Sequence, residues 1–259
     1  MLQAVFSIAP EHRECAAPLF FHVNGLVKSC LDGCMGKAFG DHPFRPGAAL
    51  LCIGDFACLG GDPCRPAARL LAGKLALMKG RTWFIPASTG WDELIAYWKP
   101  KRMERSIRYA VTRKIEFDRA KLLAFIEAIP PEFALRSIDG TLYEKAMAEE
   151  WSRDFCSQFQ SGEDYINRGL GVAALRGEEL VAGASSYVIF KGGIEIQTDT
   201  REDMRRRGLA SACCALLILD CLQKGLAPSW DAANPASLAL AQKLGYVLKA
   251  PYDIWEVTF

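Results

Sequence analysis

The sequence predicts an α/β protein of the α+β kind: a mixed, mostly antiparallel sheet flanked by helices, preceded by a smaller α+β domain. Three observations carry that prediction. Residues 171–175, 180–190 and 194–198 are β-rich runs separated by Arg176-Gly177-Glu178-Glu179 and Lys191-Gly192-Gly193, both hairpin-like turns. Apolar positions 209, 212, 213, 216, 217 and 221 then trace a helical stripe with a 3.6-residue period. Ahead of both, the double proline Pro130-Pro131 stops a helix and separates two halves of different composition. The expected domains are therefore 1–130 and 131–259.

In the first half, residues 11–36 read as helical, interrupted by Gly25 and Gly33. Residues 48–53 read as a strand followed by the loop Gly60-Gly61-Asp62-Pro63. A helix over 66–79, a strand over 82–85 ended by Pro86, a short helix over 91–98 and a strand over 107–114 follow. Leu122, Leu123, Phe125, Ile126 and Ile129 form the apolar stripe of a helix over 117–129. Six of the ten cysteines and all three histidines (His12, His22, His42) lie in the first quarter, so nothing after His42 can use imidazole chemistry.

In the second half, 133–138 reads as a strand, 142–159 as a helical stretch rich in aromatics, and 163–167 as one more turn. After the three β-rich runs, the striped helix ends with Gly225 at the C′ position. A short strand over 229–231 leads to a helix over 234–244, where Asn234 followed by Pro235 is an N-cap with proline at N1. Gly245 caps that helix, and a strand pair at 246–248 and 254–257 closes the chain. The sequence carries no internal repeat and no low-complexity tract.

Composition narrows the functional classes. Lys and Arg number 31 against 30 Asp and Glu, which speaks against a strongly basic nucleic-acid binder. The longest apolar run, 212–219, is far too short to cross a bilayer, and Glu11, His12, Arg13 and Glu14 occupy the place of a signal peptide's apolar stretch. A cytoplasmic chain with reduced thiols is expected. Cys52, Cys58 and Cys64 with His42 suggest zinc, but five-residue gaps lie outside the usual knuckle spacing and no Cys-x-x-Cys pair occurs, so no metal is expected. Walker, Gly-x-Gly-x-x-Gly, His-Glu-x-x-His and Gly-x-Ser-x-Gly motifs are missing too.

The informative segment is Arg205-Arg206-Arg207-Gly208-Leu209-Ala210-Ser211, between a β run and the first turn of the striped helix. Backbone N–H groups at a helix N-terminus point outward and the macrodipole adds about half a positive charge. Gly208 lets anion oxygens approach the backbone, Ala210 keeps the next turn slim, and the arginines add charge at the rim. A diphosphate suits converging N–H groups better than a lone carboxylate does. The rival is a solvated basic patch.

With Arg205, Gly208 and Ala210 matching an Arg/Gln-x-x-Gly-x-Gly/Ala signature, the segment resembles the acyl-CoA loop of the GNAT N-acetyltransferase superfamily. The elements on either side, Asn234 opening the next helix and the Lys243-Leu244-Gly245-Tyr246 ending fall in that family's order. The resemblance covers roughly 131–259, and 192–246 looks especially like a bacterial subgroup with an extra N-terminal domain. It implies a GNAT-like fold and acetyl-CoA as co-substrate. Pantetheine would pair with the backbone of Thr198, Asp199 and Thr200 in a gap between splayed strands. Pyrophosphate would take the N–H groups of Arg206, Arg207, Gly208, Leu209, Ala210 and Ser211, and Asn234 would contact the cofactor arm from the far side.

The implied activity is acyl transfer by direct attack of a primary amine on the thioester in a ternary complex. Histidine cannot be the base in this half, which leaves carboxylates. Glu195 and Asp199 share one side of a strand by period-two spacing, and Asp231 ends the next strand. Glu195 is the first candidate and Asp231 the second; Asp231 could equally cap the loop into Asn234. The family's usual acid, a tyrosine seven residues after that Asn, is Ala241 here, and Tyr246 is a packing residue rather than a substitute. That departure keeps open an acyl-CoA-binding sensor or regulator with little or no catalysis. Cys213 and Cys214 read as small core residues. Asp55 and Asp62 read as turn builders, with an acceptor pocket as the other option. The expected partner is an amine acceptor of unspecified identity, with no nucleic acid, no membrane and a homodimer allowed.

Overall fold

The computed structural model describes residues 4–21, 24–78, 80–113 and 116–259. The chain forms two compact units, Met1–Arg108 with Pro251–Phe259, and Tyr109–Ala250. The expected division at Pro130-Pro131 thus falls inside the second unit. The reason is the helix before it: Leu122, Phe125, Ile126 and Ile129 all pack into the second unit's core.

The first unit runs β1 (Phe6–Ile8), a 3-10 stretch Pro10–Leu19, α1 (Gly25–Leu31), β2 (Lys37–Gly40), β3 (Ala48–Ile53), β4 (Phe56–Gly61), α2 (Ala68–Gly73), β5 (Arg81–Pro86) and α3 (Trp91–Tyr97), and into β6 (Arg102–Arg113). β1 to β4 are successively antiparallel, and β5 lies parallel to β4. Asn24 starts α1 by accepting the Val27 N–H (3.1 Å). Leu50, Leu59, Leu71, Leu75, Phe84, Trp91 and Ile95 fill the core. The buried Arg13 guanidinium donates to the carbonyls of Ile8, Cys30 and Met35, so its desolvated charge is spread over three dipoles.

The second unit holds the end of β6, α4 (Arg119–Glu127), β7 (Phe133–Ser137), α5 (Gly140–Ala148), α6 (Gly162–Arg168), β8 (Gly171–Arg176), β9 (Glu179–Phe190), β10 (Gly193–Thr200), α7 (Leu209–Gln223), β11 (Ala227–Ser229), β12 (Asp231–Ala232), α8 (Pro235–Leu244) and the start of β13 (Tyr246–Thr258). Its sheet has the order β11-β10-β9-β8-β7, antiparallel except for β10 and β11. α7 covers one face, its Leu209, Cys213, Cys214, Leu217, Ile218 and Cys221 packing with Val172, Val181, Ile194 and Ile196. Gly225 follows it with φ +69°, and Asn234 and Gly245 (φ +115°) cap α8 as expected.

Several expectations change. β1, β2 and β4 were not predicted, and Gly60-Gly61 belongs to β4 rather than to a loop. A Cβ on Gly60 would stand 2.5 Å from the Leu19 carbonyl oxygen, so glycine there serves close packing. The helix expected over 142–159 ends at Ala148, where Glu149 turns extended; a 3-10 turn Arg153–Phe155 then buries Phe155. The strand expected over 229–231 is two strands on either side of Trp230, and the closing strand pair is the single strand β13. Lys79 and Lys114, the ends of two predicted elements, and His22 lie outside the described residues. Among the described residues no helix is long and apolar enough to cross a membrane.

Candidate active site

The site begins where the sheet parts. β11 pairs with β10 only at Gly193↔Ala227, Ile194↔Pro228 and Glu195↔Ser229. The chain then passes Trp230, and β12 pairs with the end of β6 instead (Asp231↔Ala110, Ala232↔Tyr109). From Ile196 to Thr200, β10 keeps β9 on one side; among the described residues no strand pairs with its other edge. Trp230 fixes the departure, being buried, donating from Nε1 to Ser237 Oγ (3.1 Å) and packing on the Tyr246 ring. At the same level the β9 register slips by one, with Tyr187 as the extra residue, a bulge that bends the paired strands.

The open edge leads into the segment 205–211, expected from the sequence to cradle an anion. A 3-10 turn, Glu202–Met204, reverses the chain, and Arg205 Nε anchors it by donating to the Thr200 carbonyl (3.2 Å). Arg206 (φ +66°) and Gly208 (φ +81°) take left-handed conformations that aim the loop into α7. Nothing lies within 4 Å of a Cβ built on Gly208, so its outer side is open. Ala212 is the first α7 amide to bond back, to Gly208 O (3.1 Å), which leaves the amides of Leu209, Ala210 and Ser211 at the helix end. Arg206 and Arg207 are exposed beside them.

Two further groups belong here. Lys243 reaches from α8 to donate to Ser211 Oγ (3.3 Å), with its ammonium 4.7 Å from the Phe125 ring centre, so a fourth cation stands at the first turn of α7. Sequence reading missed it because 32 residues separate the pair; the only signal was a lysine in the last turn of the capped helix. Thr200 Oγ1 is buried without a hydrogen-bond partner among the described residues. An orphaned hydroxyl, an open strand edge, outward amides and an open glycine face together fit a ligand with a hydrogen-bonding arm and a diphosphate.

The expected residues divide along β10. Thr198 lies on the α7 face, its Oγ1 donating to Gly183 O (2.9 Å). Glu195 and Asp199 lie on the opposite face from Ile194 and Ile196, but four residues place them roughly 13 Å apart along the strand, so they are not one pair. Glu195 is buried where the opening starts. Asp199 stands at the cradle end, its Oδ1 accepting the Thr200 N–H (2.7 Å) 3.9 Å from Arg205. Burial raises its pKa, against the lowering pull of that amide and of Arg205. Asp231 is buried in β12. Asn234 Oδ1 is committed to the α8 cap, accepting the Ser237 N–H (2.9 Å), which leaves its NH₂ for other contacts. Ala241 is fully buried, and the buried Tyr246 hydroxyl donates to Pro228 O (2.9 Å), so neither position offers a free phenol.

Away from this site, His42 Nδ1 accepts the N–H groups of Phe44 and Arg45, and Asp62 accepts that of Cys64, both turn-building roles. None of the ten cysteines is joined in a disulfide, and among the described residues no group of three or more His, Cys, Asp or Glu could hold a metal ion.

The family model of the GNAT acetyltransferases matches residues 17–255, and the chain belongs to that family. The match extends across both units, well beyond the 131–259 region that carries the sequence motifs. A GCN5-related N-acetyltransferase-like protein of Streptococcus suis 89/1591 superposes with a TM-score of 0.85 at 38% identity, over 96% of this chain and 99% of that one. The uncharacterized N-acetyltransferase YdfB of Bacillus subtilis (strain 168) is 30% identical over 135 residues, 49% of each protein, so the chain spans about half the length of that curated relative. A tandem GNAT protein from the clavulanic acid biosynthesis pathway shares the fold, with a TM-score of 0.59 at 14% identity over 98% of this chain and 97% of that one.

Proposed function

We propose that the second unit binds acetyl-CoA as co-substrate and passes its acetyl group to a primary amine by direct attack in a ternary complex. The observation that carries this reading is the open edge of β10 from Ile196 onward, running straight into the cradle before α7. When bound, the cofactor supplies an acetyl thioester already activated toward nucleophiles. The β10 backbone at Thr198, Asp199 and Thr200 would pair with the amide-bearing arm. The amides from Arg206 to Ser211, with Arg205, Arg206, Arg207 and Lys243, would hold the diphosphate. A backbone N–H at the parting would face the acyl oxygen as its charge develops. Glu195, at the start of the opening, would take the ammonium proton of the acceptor, with Asp231 as the alternative carboxylate.

Calorimetric titration with acetyl-CoA, followed by an amine panel, tests this directly. One-to-one binding and acetylated product are expected. Glu195→Gln should keep cofactor affinity while kcat falls about 10²–10⁴-fold, the usual worth of a general base. Full turnover in that variant would move the base to Asp231, and absence of binding would overturn the reading.

The second reading, an acyl-CoA sensor, draws on the buried Ala241 and the engaged Tyr246 hydroxyl. A thiolate leaving group, with a pKa near 8.5, needs little proton help, so the missing acid slows chemistry without preventing it. A sensor would bind acetyl-CoA and give no product with any amine.

A further inference from the structure

We infer that the first unit is a second copy of the acetyltransferase fold whose cofactor slot is built shut, so that the chain takes up acyl-CoA at one place only. The inference rests on the reading of the second unit as the cofactor-binding copy. Five strands of each unit coincide in order and direction, although β5 continues on to pair with β13 while β11 ends its sheet. β1 pairs antiparallel with β2, β2-β3-β4 form an antiparallel meander, and α2 crosses to β5, parallel to β4. In the second unit β7 pairs antiparallel with β8, β8-β9-β10 form the meander, and α7 crosses to β11, parallel to β10. Helical segments separate the first two strands in each unit, and a helix comes after the parallel strand in each, α3 after β5 and α8 after β11 and the short β12.

A shared hydrogen bond sets the alignment. Trp83 N–H donates to Asp55 O just before β4, and Ala227 N–H donates to Gly192 O just before β10, both at 2.8 Å. Leu59 and Gly61 then correspond to Ile196 and Thr198, where the second unit's sheet has already parted. In the first unit the pairing continues, Leu59↔Pro86 included, and Leu59 O accepts Ala87 N–H (2.8 Å). Gly61 O is taken twice, by Ser88 Oγ (2.9 Å) and by Nε1 of the fully buried Trp91 (3.2 Å). The carbonyls that would meet a cofactor arm are spent on the protein itself.

The loop before α2 is equally unsuited to a diphosphate. Pro63 and Pro66 have no N–H to offer. Cys64 N–H donates to Asp62 Oδ1 (2.9 Å), Arg65 N–H to Asp62 O (3.3 Å) and Ala68 N–H to Arg65 O (2.9 Å). The Arg65 guanidinium is paired with Asp41. Where the second unit presents outward amides and exposed arginines, the first spends the amides of Cys64, Arg65 and Ala68 and the Arg65 guanidinium on its own chain.

The test combines stoichiometry with mapping on the full chain. Titration with CoA should give one equivalent bound, and the charge-reversal pair Arg206→Glu and Arg207→Glu, at two exposed side chains, should weaken it at least about tenfold. A photoreactive CoA analogue should label peptides within 109–250 alone. Two equivalents per chain, a saturable site unaffected by the charge reversal, or label within 56–91 would overturn the inference. No binding anywhere would instead sink the reading of the second unit, while agreeing with a closed slot in the first.

Discussion

Ala241 shows how a single residue constrains the chemistry. It has no exposed surface and sits in the second unit's core with Leu244 and Tyr246, so a tyrosine placed there meets packed side chains. Ala241→Tyr should therefore destabilise the protein by about 1–3 kcal/mol, lowering Tm by roughly 2–4 °C per kcal/mol, with no gain in kcat. A thermal melt and an acetylation assay check this; an unchanged Tm with faster turnover would show that the position opens on the site. The position was legible by counting from Asn234, but its burial was not. Glu195 and Asp199 were placed on one face by alternation alone, whereas the Lys243–Ser211 contact needed the fold, because it joins two helices. Thr200 was picked out for its backbone, and only the structure shows its hydroxyl orphaned.

Among the elements, α6 offers a pH handle. Asp164 has its pKa lowered first by the Arg168 hydrogen bonds and also by the Gln160 N–H. A carboxyl with a depressed folded pKa contributes stability that is present above its unfolded value, near 4, and lost as pH falls through the folded one. Asp164→Asn should thus be less stable than the parent at pH 7, with the difference closing toward pH 2, as read by denaturant titration; a difference constant with pH would contradict the assignment. The β9–β10 hairpin and the caps of α8 were legible because glycine turns and Asn-Pro are local signals. The break after Ala148 was not, since Phe155 and Phe159 are buried by tertiary packing rather than along a helical stripe. α7 is buried nearly all round, at Ser211, Cys214, Ala215 and Ile218 as well as on the expected stripe, because the sheet and α4 both cover it. The split of β11 from β12 at Trp230, on which the proposed site depends, leaves only a tryptophan in the sequence.

At the scale of the molecule, the sequence shows two halves but not their kinship. Topology survives where side-chain identity has diverged, so a repeat of strand order and direction coexists with no visible repeat of residues. The difference that matters lies between paired and unpaired carbonyls, which no motif records. Amide hydrogen exchange of the full chain, with and without CoA, tests the account most directly. Exchange at Ile196 to Thr200 and at Arg206 to Ser211 should slow on adding CoA, while the amides of β4 and β5 stay unchanged. Saturating CoA that leaves β10 and the α7 cradle unprotected, or that protects β4 and β5 instead, would contradict it.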